Sequence, residues 1–148
     1  MTARRRAVNV LLVEDNPGDV LLAEEALAQA HVGTAVSVVG DGRSALAFMR
    51  GEGEHAARVR PDLVLLDLNL PDMGGQEVLD ELKRDPALRS TPVLILTSSS
   101  NDDDIRGAYQ SHANTYITKP DQFGGYTAVA RCIDEYWLGI AELPVGSS

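Results

Sequence analysis

The sequence predicts a doubly wound α/β fold: a five-stranded parallel sheet with helices on both faces. Three observations carry this. Five short apolar runs recur along the 148 residues. Segments with apolar residues at helical spacing alternate with them, and such alternation is the mark of a parallel sheet built by crossovers. Three of the runs are almost continuously apolar, as strands covered on both faces must be.

The first strand reads as residues 8–13, ending abruptly at Glu14-Asp15. Pro17-Gly18 then suits a helix start, and Val20, Ala23, Leu27 and Ala30 recur at helical spacing. Residues 35–39 form the second run, and Ala45, Leu46 and Met49 mark a short second helix. Residues 51–60 are a charged insert, expected as a surface loop. The third run, residues 63–66, stops at Asp67. Val78, Leu79 and Leu82 mark a third helix with Pro86 beyond its end. The fourth run, residues 93–96, leads into Thr97. Asn101 is placed to cap a fourth helix, with Asp102, Asp103 and Asp104 in its first turn, where the helix dipole favours anions. Tyr116-Ile117 is the last run, and Tyr126, Val129, Ala130, Ile133, Tyr136 and Trp137 form the stripe of a fifth helix. The second and fifth runs carry Ser37, Thr115 and Thr118 and suit the sheet edges.

Composition narrows the function. Hydrophobic residues make up 44% of the chain, enough for a core, and the length fits one domain. That domain is expected over residues 7–140. A disordered basic leader (1–6) precedes it, a tail (141–148) follows it, and no effector domain is expected. The net charge of −9 would be repelled by a phosphate backbone, which argues against nucleic acid as a partner. The apolar runs are too short to span a bilayer. Cys132 is the one cysteine, so no internal disulfide is available. The protein is expected to be cytoplasmic.

In sheets of this kind, ligands bind beyond the carboxyl ends of the strands, where the winding direction reverses. In the order 2-1-3-4-5, the first and third strands are neighbours at that point. Glu14, Asp15 and Asp67 would converge there, with Thr97 and Lys119 at the ends of the fourth and fifth strands. Clustered carboxylates resist ionising together, and a hard divalent cation such as Mg2+ relieves the conflict with oxygen ligands. Asp67 is then a candidate nucleophile, since carboxylates form aspartyl phosphates. Lys119 is a compact cation for a phosphoryl oxygen, and Thr97 offers a hydroxyl. Gly40-Asp41-Gly42 lacks the further residues of a nucleotide-phosphate cradle, so phosphate must come from a donor.

These blocks resemble the receiver domain of two-component response regulators. Leu11-Leu12-Val13-Glu14-Asp15-Asn16 is similar to that family's first strand and acidic pair. Leu65-Leu66-Asp67-Leu68-Asn69-Leu70-Pro71, with Met73-Gly74-Gly75, resembles its phosphorylation segment. Pro92-Val93-Leu94-Ile95-Leu96-Thr97 and Tyr116-Ile117-Thr118-Lys119-Pro120 resemble the remaining two blocks. The resemblance implies a flavodoxin-like receiver fold with Asp67 as phosphoacceptor. It implies Mg2+ held by Asp15, Asp67 and the Asn69 carbonyl, with Glu14 acting through water. It also implies Thr97 and Tyr116 as switch residues and a cis peptide bond before Pro120. The switching surface would be the fourth helix, fifth strand and fifth helix, and the chain would be a signalling protein, at most catalysing its own phosphorylation and slow dephosphorylation.

Asp15-Asn16-Pro17-Gly18-Asp19, the long insert before the third strand, and Gly124-Gly125-Tyr126 with Tyr136-Trp137-Leu138 resemble regulators that serve phytochrome-type histidine kinases. The expected partner is such a kinase. Tyr136, Trp137 and Ile140 crowd where the receiver pattern runs out, and are expected to form a homodimer interface. Three rivals stand beside this reading: a phosphate shuttle in a phosphorelay, a receiver-like binding module that is never phosphorylated, and an aspartate-dependent phosphatase of the haloacid dehalogenase type. The last would need an acid where Asn69 stands.

Overall fold

A computed structural model of the chain describes residues 8–29, 34–97, 106 and 115–118. The elements are β1 (Val8–Val13), α1 (Pro17–Ala28), β2 (Thr34–Val39), α2 (Gly42–Arg50), β3 (Leu63–Leu66), α3 (Gly75–Arg84), β4 (Val93–Thr97) and β5 (Thr115–Thr118). The five strands form one parallel sheet in the order β2-β1-β3-β4-β5. The edge strands are β2 and β5, the two runs that the sequence places there. Arg106 is helical and exposed. The expected helices around residues 101–104 and 126–137 otherwise lie outside the described residues, as do the leader and the tail.

The strand period of two divides the apolar residues between two cores. Leu11 and Val13 of β1, Val64 and Leu66 of β3, and Val93 and Ile95 of β4 face α2 and α3. Val8, Val10, Leu12, Leu63, Leu65 and Leu94 face α1, meeting Ala23, Ala26 and Leu27. Residues 63–66 are all fully buried, which is why β3 has no polar position. Burying each such side chain contributes about 1.5–3 kcal/mol.

Helix ends are closed by side chains. Asn16 caps α1 by accepting from the Asp19 N–H (3.1 Å), with Pro17 at the first helical position. Asp41 caps α2 by accepting from the Ser44 N–H (2.7 Å). At the other end of α2, Gly51 adopts φ +66°, a left-handed turn that glycine adopts without steric cost. The insert after it is more than a loop. It contains a 3₁₀ turn (Gly53–His55), and Arg58 folds back beneath it. Arg58 donates through Nε to the Phe48 carbonyl (2.8 Å) and through a terminal guanidinium nitrogen to the Met49 carbonyl (2.9 Å). Both carbonyls belong to the last turn of α2, where helical partners run short; the Phe48 carbonyl also accepts from the Gly51 N–H (3.1 Å).

The edge of the sheet remote from the strands' carboxyl ends has its own lock. The Asp62 carboxylate accepts from the Asn9 N–H (2.9 Å), and the Asp62 N–H donates to the Asn9 carbonyl (2.7 Å). From the last turn of α3, Lys83 Nζ donates to the carbonyls of Arg89 (3.1 Å) and Thr91 (2.9 Å), and burial lowers its pKa. Among the described residues, no helix is long and apolar enough to cross a membrane.

Candidate functional site

Glu14 and Asp67 each stand one residue beyond a central strand. Their backbones continue the ladder: the Glu14 N–H donates to the Val39 carbonyl (3.0 Å), and the Asp67 N–H to the Val13 carbonyl (3.1 Å). Counting by twos from Leu12 and Leu65 places both on the α1 face of the sheet. The first turn of α1 is therefore what they meet. Glu14, Asp15, Asn16, Pro17, Asp19, Asp67 and Asn69 line an open cleft of about 420 Å³.

Within it, carboxylate oxygens of Glu14, Asp15 and Asp67 all lie within 4.8 Å of one another. Glu14 and Asp67 are each only 4% exposed, whereas Asp15 is open to solvent. Two largely desolvated carboxylates this close raise each other's electrostatic energy. Backbone amides offset part of it. The Asn16 N–H donates to Glu14 Oε2 (3.2 Å), and the Asn69 N–H donates to Asp67 Oδ1 (3.0 Å). The second bond turns the chain back so that Asn69 borders the nucleophile candidate.

The register fixes the far side. Leu66 pairs with Ile95, Ile95 with Tyr116, and Thr97 with Thr118. Thr97 thus ends β4 at the same sheet edge as Asp67, and Lys119 follows directly on the end of β5. Lys119 itself, Pro120 and the interface candidates Tyr136, Trp137 and Ile140 lie outside the described residues. The structure therefore brings Glu14, Asp15, Asp67 and Asn69 together and places the backbones of Thr97 and Tyr116.

Sequence reasoning missed Asp72. Its carboxylate receives the Gly42 N–H on Oδ1 (2.8 Å) and the Arg43 N–H on Oδ2 (3.0 Å), spanning the first turn of α2. Desolvation works to raise its pKa; the backbone N–H groups of Gly42, Arg43, Met73 and Asp72 itself outweigh that and hold it below the ordinary 3.8. No local pattern announces a contact across 30 residues. Asp41 was also not read as a cap, although an aspartate three residues before Ser44 at a helix start is a capping signal.

A parallel sheet with this strand order and an acidic cleft at its carboxyl edge defines a receiver architecture. Residues 10–129 match the response regulator receiver domain, and the chain belongs to that family. Response regulator Rcp1 of Synechocystis sp. is 39% identical over 135 residues, covering 91% of this chain and 92% of that protein. The crystal structure of the phosphorylated cyanobacterial phytochrome response regulator RcpA matches with a TM-score of 0.88 at 47% identity, covering 94% of this chain and 99% of that one. The Mn(2+)-bound form of Rcp1 matches with a TM-score of 0.86 at 38% identity, covering 93% and 99%. The chain is thus a receiver-domain response regulator that closely resembles phytochrome response regulators. Members of this family are in general signalling proteins rather than enzymes.

Proposed function

We propose that this chain takes a phosphoryl group from a sensor histidine kinase onto Asp67 and signals through the change that follows. The observation that carries the reading is the position of Asp67. It is a 4% exposed carboxylate at the end of a central strand, within 4.8 Å of two further carboxylates. Such clustering is costly unless the site serves a cation, whose charge can also receive an incoming anion.

The donor set fits a hard divalent ion: every group offered is an oxygen, and the cleft is open on one side for water. Asp15 and Asp67 would hold Mg2+ directly, Asn69 through its backbone carbonyl and Glu14 through water. When bound, the ion supplies positive charge that offsets the carboxylates and the phosphoryl oxygens. Asp67 contributes the nucleophile. One of its carboxylate oxygens bonds to the phosphorus of a phosphohistidine as the P–N bond breaks, and the departing imidazole nitrogen keeps the electron pair and takes up a proton. The Asn69 N–H on Oδ1 orients the carboxyl group for this attack. The Thr97 hydroxyl and the Lys119 ammonium would then meet phosphoryl oxygens, and Tyr116 would follow the inward movement of Thr97. This reshapes the surface of the fourth helix, β5 and the fifth helix.

The partner we propose is a phytochrome-type kinase, supported by the likeness to RcpA and Rcp1. Tyr136, Trp137 and Ile140 are proposed as a homodimer contact on the strength of their apolar clustering in the sequence. The test is incubation with acetyl phosphate and Mg2+, read by intact mass and by mapping the modified residue. A stable acyl phosphate on Asp67, absent from Asp67→Asn, is expected. Steady phosphate release without an accumulating adduct, or modification elsewhere, overturns the reading. With the kinase, transfer is expected to depend on illumination.

A further inference from the structure

We infer that Asp72 is a positioning residue for the acidic cleft: its grip on the first turn of α2 fixes the loop that carries Asn69 against Asp67. The inference rests on the proposed reading of Asp67 as phosphoacceptor.

The loop between β3 and α3 is held at its two ends by hydrogen bonds from backbone N–H groups. The Asn69 N–H bonds to Asp67 Oδ1 at 3.0 Å, and the Gly75 N–H bonds to the Leu68 carbonyl at 3.0 Å. Gly75 presses on the same stretch so closely that a Cβ there would stand 2.3 Å from the Asp67 carbonyl oxygen. Between these anchors the tip of the loop has to be held by something outside it. Asp72 does this with both carboxylate oxygens, on the N–H groups of Gly42 and Arg43. Met73 packs beside it where a Cβ on Gly42 would sit 2.3 Å from the Met73 Cγ.

The other half of the cleft is tied to the same place. The Glu14 N–H bonds to the carbonyl of Val39, the residue that ends β2 just before this turn. Backbone groups of Val39, Gly42 and Arg43 therefore brace Glu14 from one side and the Asp67–Asn69 loop from the other, while the Asp41 side chain bonds only within α2. A shift of the loop tip would change the spacing of the carboxylates that must share one cation.

The simpler account is that Asp72 only caps α2. That helix already has Asp41 on its Ser44 N–H. Helix capping explains why a carboxylate suits this spot, but not why it comes from the loop bearing the site. The two accounts separate experimentally. Asp41→Ala removes a cap of the same helix without touching the loop; Asp72→Ala removes both cap and brace. Mg2+ affinity by titration calorimetry, amide hydrogen exchange at Asn69, the phosphorylation rate with acetyl phosphate and the melting temperature are measured for each.

Asp72→Ala is expected to weaken Mg2+ binding roughly tenfold, the size seen when a residue supporting a metal ligand is lost, and to speed exchange at Asn69. Asp72→Asn keeps one acceptor oxygen and is expected to fall between, which also serves should the alanine variant not fold. Asp41→Ala is expected to lower the melting temperature while leaving Mg2+ affinity unchanged. Equal effects of Asp41→Ala and Asp72→Ala on Mg2+ affinity, or none from either Asp72 variant, would overturn the inference. Failure of the underlying reading looks different: the unaltered protein would then bind no Mg2+ and take no phosphoryl group, or Asp67→Asn would still be phosphorylated.

Discussion

At the level of single residues, the cleft is a balance of charge. A pair of like charges about 4 Å apart repels by about 1 kcal/mol in water and about 4 kcal/mol at the effective dielectric of a protein surface. Glu14, Asp15 and Asp67 fall in that distance range, two of them with little solvent to screen them. Asp67→Asn removes one charge while the amide oxygen still accepts the Asn69 N–H. We expect this variant to melt higher than the parent in the absence of divalent ions, by roughly 2–4 °C for each kcal/mol relieved, and to accept no phosphoryl group. Thermal melts in chelator check it, and a variant no more stable than the parent would contradict the charge argument. These acids were legible in the sequence because each follows an apolar run that stops at a charge, and the strand order made neighbours of two such ends. Thr97 was legible for the same reason, and its pairing with Thr118 places its backbone at that edge.

At the level of elements, near-continuous burial made β1 and β3 readable to the residue: only the half-buried Asn9 interrupts β1, nothing polar interrupts β3, and a charge follows each. The other strands each run one residue beyond the expected bounds at one or both ends, where threonine is as acceptable to a strand end as to a loop. What could not be read were the ties between elements. Arg58 reaches back ten residues to Phe48, and Asp72 reaches thirty to Gly42; such contacts exist only after the chain has folded. Two expectations follow. Arg58→Ala removes the guanidinium from two carbonyls in the last turn of α2 and should cost about 1.5–3 kcal/mol, the worth of hydrogen bonds to a charged group. Arg58→Lys should recover only part of this, because Nε and a terminal nitrogen of the planar guanidinium reach the two carbonyls from separate points of a fixed fork, which a single ammonium centre does not reproduce. Denaturant unfolding of both variants measures this. Asp72 adds a pH signature. Its folded pKa lies below its unfolded value of 3.8, so its contribution is fully present above about pH 5 and is lost as pH falls through the folded pKa. The stability gap between the parent and Asp72→Ala should therefore be constant from neutral pH to about pH 5 and shrink below pH 4. A gap that widens on acidification would reverse the sign and rule out the carboxylate as its source.

For the molecule as a whole, the cleft links metal to folding. The net charge of −9 means that any cation stabilises the chain a little by screening, so specific binding has to be told apart from this background. A site with clustered ligands in the native state only stabilises by mass action: about 2.7 kcal/mol at a hundred times the dissociation constant, and about 1.4 kcal/mol for each further tenfold. Screening instead depends on ionic strength and saturates differently. Melting temperature followed against Mg2+ concentration, with KCl adjusted to hold ionic strength constant, separates the two. We expect a linear rise with the logarithm of Mg2+, roughly 3–5 °C per decade once the site is filled, in the unaltered protein. In the double variant Asp15→Asn with Asp67→Asn the same titration should be nearly flat. The variant carries two fewer negative charges and starts from a higher melting temperature, so its flat response cannot come from a weaker fold. An equal rise in both proteins would show that the fold responds to cations through its overall charge and not through the cleft at the carboxyl ends of β1 and β3.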